Sequence, residues 1–101
     1  AVGTECEKGQ WATFQLGWTA AYRQNHPRAL EIFEAVGRHP ASGLGLRVSS
    51  RVQVATLAES LGDRDRARRE LEALKADYSS ETGPYFDGLR RNIEDRLARL
   101  Q

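Results

Sequence analysis

The sequence predicts an all-α protein, with about five antiparallel helices in one domain spanning residues 1–101. Apolar residues recur at steps of three and four in successive segments, which is the period of a helix with one buried face. Glycine or proline interrupts the chain between these segments. A chain of this length can build a single hydrophobic core. Residues 1–9 show little periodicity, so we expect a loose N-terminal segment there.

The first predicted helix, from about residue 10 to residue 24, holds both tryptophans and half of the eight aromatic residues. These aromatic residues follow the helical period and should form one stripe: Trp11, Phe14, Trp18 and Tyr22. Leu16, Gly17 and Ala20 lie on another face, which we expect to pack on the neighbouring helix. Pro27 should end this helix, because a proline disfavours helical geometry in the residue before it.

The second predicted helix covers residues 28–36, with Pro27 at its first turn and Gly37 as its stop signal. Residues 37–45 contain three of the nine glycines and are predicted to form a loop. The third helix should follow over residues 44–61. Its valines would also suit a strand, but the neighbouring residues do not keep the alternation of a strand.

Gly62 is expected to end the third helix, and the Asp63 side chain to cap the fourth, which covers residues 64–78. The fifth predicted helix covers residues 84–100, with Thr82 as its cap. Its apolar residues form a narrow seam, as expected of a helix that packs on one side only and closes an array.

The first two pairs of helices share a residue pattern at an offset of 38 positions, which relates Leu16 to Val54 and Ala29 to Ala67. A small residue follows the first of these positions, and a bulky residue lies four after the second. This pattern resembles the tetratricopeptide repeat (TPR), a helix–turn–helix unit. The resemblance implies a short right-handed superhelix of stacked hairpins, with repeats at 10–36 and 44–78 and a C-terminal capping helix at 83–101. A generic antiparallel bundle is the alternative.

In the TPR family, the first helix of each repeat lines a concave groove that holds peptides or partner helices. Carried over to this chain, the resemblance implies nine partner-binding residues: Trp11, Phe14, Trp18, Tyr22, Val52, Thr56, Glu59, Phe86 and Arg90. The competing interpretation of the aromatic stripe is an ordinary core. Four exposed rings, at about 150–250 Å² each, would exceed the ~300–600 Å² of the largest apolar patch on a typical monomer.

Residue types that carry chemistry are sparse and isolated. His26 and His39 each precede a proline without a carboxylate or cysteine placed to make a base or a metal ligand, and Cys6 is the only thiol. We therefore expect no enzyme activity, no cofactor and no metal. Cysteine usage and the lack of a signal-type leader favour a cytoplasmic location, with a periplasmic location or a place within a larger protein left open.

Charge and hydropathy narrow the choice of partners. The formal net charge is +1, and acidic residues are interleaved with the arginines, so binding to nucleic acid is disfavoured. No apolar run approaches the ~20 residues of a membrane span, so no membrane insertion is expected. The predicted function is an interaction or scaffold module that binds a protein, a peptide or a second copy of itself. The alternative is a helical accessory or regulatory domain of a larger enzyme.

Overall fold

The computed structural model describes residues 7–100, and side chains from Lys8 onward. Over this range the chain forms five α-helices and no strand, which confirms the predicted all-α class. The helices are α1 (Glu7–Tyr22), α2 (His26–Arg38), α3 (Leu44–Ser60), α4 (Arg64–Asp77) and α5 (Pro84–Leu100). None of the helices in this range is long and apolar enough to cross a membrane.

The helices pack mainly on their neighbours in the chain: α1 on α2, α2 on α3, α3 on α4, and α4 on α5. The resulting body measures 43 × 32 × 17 Å along its principal axes, so it is a thin slab. Helices α1 and α5 therefore lie at the two edges of the array. Each edge helix has one main neighbour, whereas α3 is enclosed between α2 and α4.

The core contains large apolar side chains from every helix after α1, with Phe33, Leu71 and Leu74 fully buried. Small residues lie where the helices approach one another, and three of the positions related by the 38-residue offset are buried in both hairpins. These positions are Gly17, Ala29 and Phe33 in the first hairpin, and Ala55, Ala67 and Leu71 in the second. The pair of Leu16 and Val54 differs, because Leu16 is 60% exposed whereas Val54 is buried. The sequence pattern thus matches the packing of the two hairpins only in part, and the TPR-like superhelix stays a prediction.

Two of the predicted helix boundaries are confirmed by local geometry. Gly62 follows α3 with a positive φ of 83°, a conformation that glycine adopts without steric cost. The Asp63 carboxylate accepts a hydrogen bond from the backbone N–H of Arg66 at 3.1 Å, which caps α4. A tight turn therefore joins α3 to α4.

Three predicted features differ from the structure. Gly37 lies inside α2 rather than ending it, because the helix continues to Arg38. Gly83, not Thr82, directly precedes α5, and its carbonyl accepts the hydrogen bond from the N–H of Asp87. Residues 7–9 of the predicted loose segment belong to α1, and the rest of that segment, including Cys6, lies outside the described residues.

The connection between α2 and α3 is held by local hydrogen bonds. The buried Ser42 hydroxyl donates to the carbonyl of Val36 at 2.7 Å, and the Arg47 guanidinium donates to the carbonyl of Ser42 at 3.0 Å. The first of these bonds satisfies a backbone carbonyl at the end of α2, and the second satisfies a carbonyl of the connection itself.

Candidate interaction surface

The four aromatic residues of α1 divide into an inner and an outer pair. Phe14 and Trp18, the inner pair, are half-buried and pack against the fully buried ring of Phe33 on α2. Their ring centroids lie 5.3 Å and 5.5 Å from that of Phe33, in edge-to-face arrangements. Such pairs stabilise a core by about 0.5–1.5 kcal/mol beyond burial. The inner pair therefore belongs to the packing between α1 and α2.

The outer pair, Trp11 and Tyr22, faces solvent. Trp11 is 47% exposed and Tyr22 is 79% exposed. Trp11 contacts Phe14 edge-to-face at 5.7 Å between centroids, and Tyr22 lies 6.2 Å from Trp18. Each outer ring is thus supported by an inner ring that is anchored in the core. We call these four residues the aromatic edge.

The exposed area of the aromatic edge is smaller than the sequence alone suggested. With about 150–250 Å² per ring, the exposed fractions of Trp11 and Tyr22 leave roughly 200–300 Å² in contact with water. This area is no larger than the apolar patch of ~300–600 Å² found on a typical monomer. The aromatic edge therefore does not require a cover, although it offers two large rings to a partner.

The packing face of α1 is rotated from the predicted one. Gly17 is buried at its centre, but Leu16 is 60% exposed. A Cβ atom at Gly17 would lie 2.9 Å from two atoms of the Phe33 ring, so α1 approaches α2 along this glycine. The bulky ring of Phe33 is then enclosed by Phe14 and Trp18, and this turns Leu16 outward on the other side of the contact.

The groove residues predicted on α3 make contacts with α5 or lie beside the core. Val52 is partly buried against the core. The Thr56 hydroxyl accepts a hydrogen bond from the Arg96 guanidinium at 3.0 Å, and the Glu59 carboxylate lies 3.8 Å from the same guanidinium. Arg96 is itself buried, so it ties α5 to α3. A role of these α3 residues in binding stays a prediction.

Phe86 and Arg90 of α5 support the connection between α4 and α5. The Phe86 ring stacks on Tyr78 with 6.1 Å between centroids. The Arg90 guanidinium donates hydrogen bonds to the carbonyls of Tyr78 and Glu81 at 3.1 Å and 2.8 Å. Both residues thus have intramolecular partners, and their contact with a ligand also stays a prediction.

A charged cleft between α2 and α4, with α3 as its floor, was not predicted from the sequence. Its inner cavity has a volume of about 330 Å³, and Arg51 of α3 lies within its lining. The Arg51 guanidinium contacts the carboxylates of Glu70 at 3.1 Å and Asp77 at 2.8 Å, and lies 5.8 Å from the centroid of the Tyr78 ring. Gly37 passes directly over Arg51, where a Cβ atom would lie 3.0 Å from its Cγ.

The charges in this cleft satisfy one another. Burial alone would lower the pKa of Arg51, but its hydrogen bonds to Asp77 and Glu70 and their negative charges outweigh burial and raise this pKa above its ordinary value. At the mouth of the cleft, Glu34 of α2 pairs with Arg66 of α4 and with Arg38. The cleft therefore joins three helices by ion pairs.

Within the described residues, no three side chains of metal-ligating type come together in a group that could hold a metal ion. Comparisons of the chain with protein-family models, curated proteins and solved structures find no match. The resemblance to the TPR family therefore rests on the residue pattern given above. The surface of the molecule is the remaining guide to its function.

Proposed function

We propose that this protein is an interaction module that binds a peptide, a helix of a partner protein or a second copy of itself through the aromatic edge of α1. One observation carries this proposal: two large aromatic rings, Trp11 and Tyr22, lie exposed on an edge helix with a single main neighbour. Tryptophan and tyrosine are enriched among the residues that dominate binding energy at interfaces.

The inner rings hold the outer rings in place, and this favours binding of a partner to the outer rings. Trp11 and Tyr22 rest on Phe14 and Trp18, which are anchored against Phe33. A ring that is already held in place loses little conformational freedom when a partner contacts it, so more of the interaction energy contributes to affinity. The outer pair of the aromatic edge thus provides two pre-organised anchors.

The exposed area favours a small partner element. Roughly 200–300 Å² of exposed ring surface, from the per-ring area used above, is far below the ~800 Å² that each protein contributes to a standard interface. A peptide or a single helix can be held by two anchors, whereas a large dimer interface would need further surface. We therefore favour a segment of a partner protein as the ligand.

A photocrosslinking experiment tests the proposal. Benzoylphenylalanine replaces Tyr22 in the full chain, irradiation follows in an extract of the source organism, and the crosslinked protein is identified. The matched control places the same group at Tyr85 on α5, which is 56% exposed and lies on the other edge helix. The proposal predicts a product specific to position 22, and equal product patterns at both positions would contradict it.

The affinity of the identified partner is then measured in purified form. The variant Trp11→Ser with Tyr22→Ser removes the outer rings and leaves Phe14 and Trp18 in the core. We expect its affinity to fall at least about tenfold, since losing one interface hot spot of about 2 kcal/mol exceeds the 1.4 kcal/mol that corresponds to tenfold. Substitution of Trp18 would be a poor test, because it would also disturb the packing on Phe33.

A further inference from the structure

A second apolar surface of α1 lies on the flank opposite the aromatic edge. A groove of about 390 Å³ runs between the C-terminal half of α1 and the N-terminal half of α2. Its apolar lining consists of Leu16, Ala20 and Ile32. Leu16 is 60% exposed, whereas Ile32 is only 9% exposed and lies at the base. The volume falls within the ~300–1,000 Å³ typical of ligand pockets.

The groove follows from the close contact between α1 and α2. Gly17 brings the two helices together, with Ile32 and Phe33 as the nearest side chains. Ala20, one turn after Gly17, is too small to cover Ile32 completely. Leu16 stands at one side of this depression, so an apolar side chain of a ligand could contact Leu16, Ala20 and Ile32 together.

The rim of this groove is positively charged. Of the residues that the structure describes, Arg23 and Arg28 line the groove, and no acidic residue does. Among the described side chains, which begin at Lys8, the guanidinium of Arg23 takes part in no ion pair, and Arg28 has only a 3.7 Å contact with Glu31. The side chains of Arg28 and Glu31 are 61% and 73% exposed, so this pair adds little. The first turn of α2, which begins here, contains no acidic residue.

We propose that this groove docks a segment of a partner protein in which an aspartate or glutamate lies next to an aliphatic residue. The aliphatic side chain would lie over Ala20 and Ile32 against Leu16, and the carboxylate would pair with Arg23 and Arg28. Charge complementarity identifies the ligand as acidic, because both rim charges are positive and, among the described side chains, only Arg28 has an acidic partner, the exposed Glu31. This site is separate from the aromatic edge, so α1 carries two binding flanks.

Peptide selection provides the test. Random twelve-residue peptides displayed on phage are selected against the full chain, and the enriched peptides are sequenced. The proposal predicts a family of peptides with aspartate or glutamate adjacent to leucine, isoleucine or valine. One enriched peptide is then synthesised with a fluorescein label and blocked termini, so that its only carboxylates are those of its side chains. Its binding to the protein is measured by fluorescence anisotropy.

Two charge-reversal variants decide the site. We expect Arg23→Glu with Arg28→Glu to weaken binding of this probe at least about tenfold, because attraction to its carboxylates becomes repulsion. The matched control, Arg69→Glu with Arg91→Glu, makes the same change in net charge at two other exposed arginines. Its affinity should stay within about twofold of wild type, a change expected from long-range charge alone. Circular dichroism is used to check that each variant retains its helices.

Other outcomes would overturn the proposal. One is the absence of an acidic–aliphatic family among the selected peptides, and another is equal weakening by both charge-reversal variants. Binding that is lost in Trp11→Ser with Tyr22→Ser but kept in the Arg23 and Arg28 variant would place the peptides on the aromatic edge instead. Sedimentation of the wild type and of the Arg23→Glu, Arg28→Glu variant tests a further possibility. If the wild type is a dimer and this variant is a monomer, a second copy of the chain occupies the groove.

Discussion

Substitution of Gly17 tests the close approach of α1 to α2, on which both flanks of α1 depend. The structure predicts that Gly17→Ala destabilises the protein, although alanine is the better helix former. The added Cβ would lie 2.9 Å from two atoms of the Phe33 ring and 3.2 Å from Ile32 Cγ2, against 3.4–4 Å for an ordinary contact. Phe33 is fully buried between Phe14 and Trp18, so its ring has little room to move.

The magnitude follows from two opposing effects. Overpacking of a core costs about 1–3 kcal/mol, and replacing a helical glycine by alanine gains about 0.8–1.0 kcal/mol. Because the ring is enclosed, we expect a cost in the upper part of that range and a net loss of about 1–2 kcal/mol. A loss of 1 kcal/mol corresponds to a Tm lower by roughly 4–8 °C for a domain of this size.

Gly88 provides the matched control. It lies inside α5, and a Cβ atom there would meet no atom of the described part of the chain within 4 Å. Gly88→Ala should therefore stabilise the protein by about 0.8–1.0 kcal/mol through helix propensity alone. Urea unfolding followed by circular dichroism compares the two variants, and their difference isolates the contact at position 17. Equal stabilisation by both alanines would refute the close approach of α1 to α2.

Three further substitutions probe the interior and the caps by the same unfolding measurement. Ser50→Ala should stabilise the protein by about 1 kcal/mol, because the Ser50 hydroxyl is fully buried and has no hydrogen-bond partner among the described residues; a loss of stability would show a hidden partner. Asp63→Ala should cost about 1 kcal/mol by removing the cap of α4, and an unchanged midpoint would contradict the cap. Arg51→Gln should cost about 1–2 kcal/mol, because it leaves the half-buried Glu70 without its cation. In a double-mutant cycle with Glu70→Gln, additive losses would show that this pair contributes nothing.

The helices could be predicted from the sequence because their signals are local. Apolar periodicity located all five, and α5 begins and ends where predicted. The turn after α3 was also predictable, since Gly62 supplies a positive φ and Asp63 supplies a capping carboxylate. These features depend on residues within one or two helical turns of each other. At that range, residue type alone is enough to predict the local structure.

The rotation of α1 could not be predicted in the same way. Its aromatic stripe and its small residues are both apolar faces, and either could have been turned toward α2. The outcome depends on Gly17 meeting Phe33, which is a contact between helices rather than a property of one. Gly37 was misinterpreted for a related reason: a glycine near a helix end suggests a stop, but here it provides space for Arg51.

The charged cleft depends on long-range pairing. Arg51 lies 19 residues from Glu70 and 26 residues from Asp77 in the chain. In the sequence these residues lie among many other acidic and basic residues, and no local pattern distinguishes them from charged residues that face solvent. The partial burial of Arg51, with 17% of its side chain exposed, becomes visible only when α2 and α4 are placed on either side of α3.

The most direct test of the proposed function is the affinity of the purified partner identified by crosslinking at position 22, measured for wild type and for Trp11→Ser with Tyr22→Ser. The variant must first show the helical content and unfolding midpoint expected of an intact core. We predict an affinity at least about tenfold weaker, from the loss of two exposed aromatic anchors. An unchanged affinity in a folded variant would contradict the proposal that the aromatic edge binds a partner.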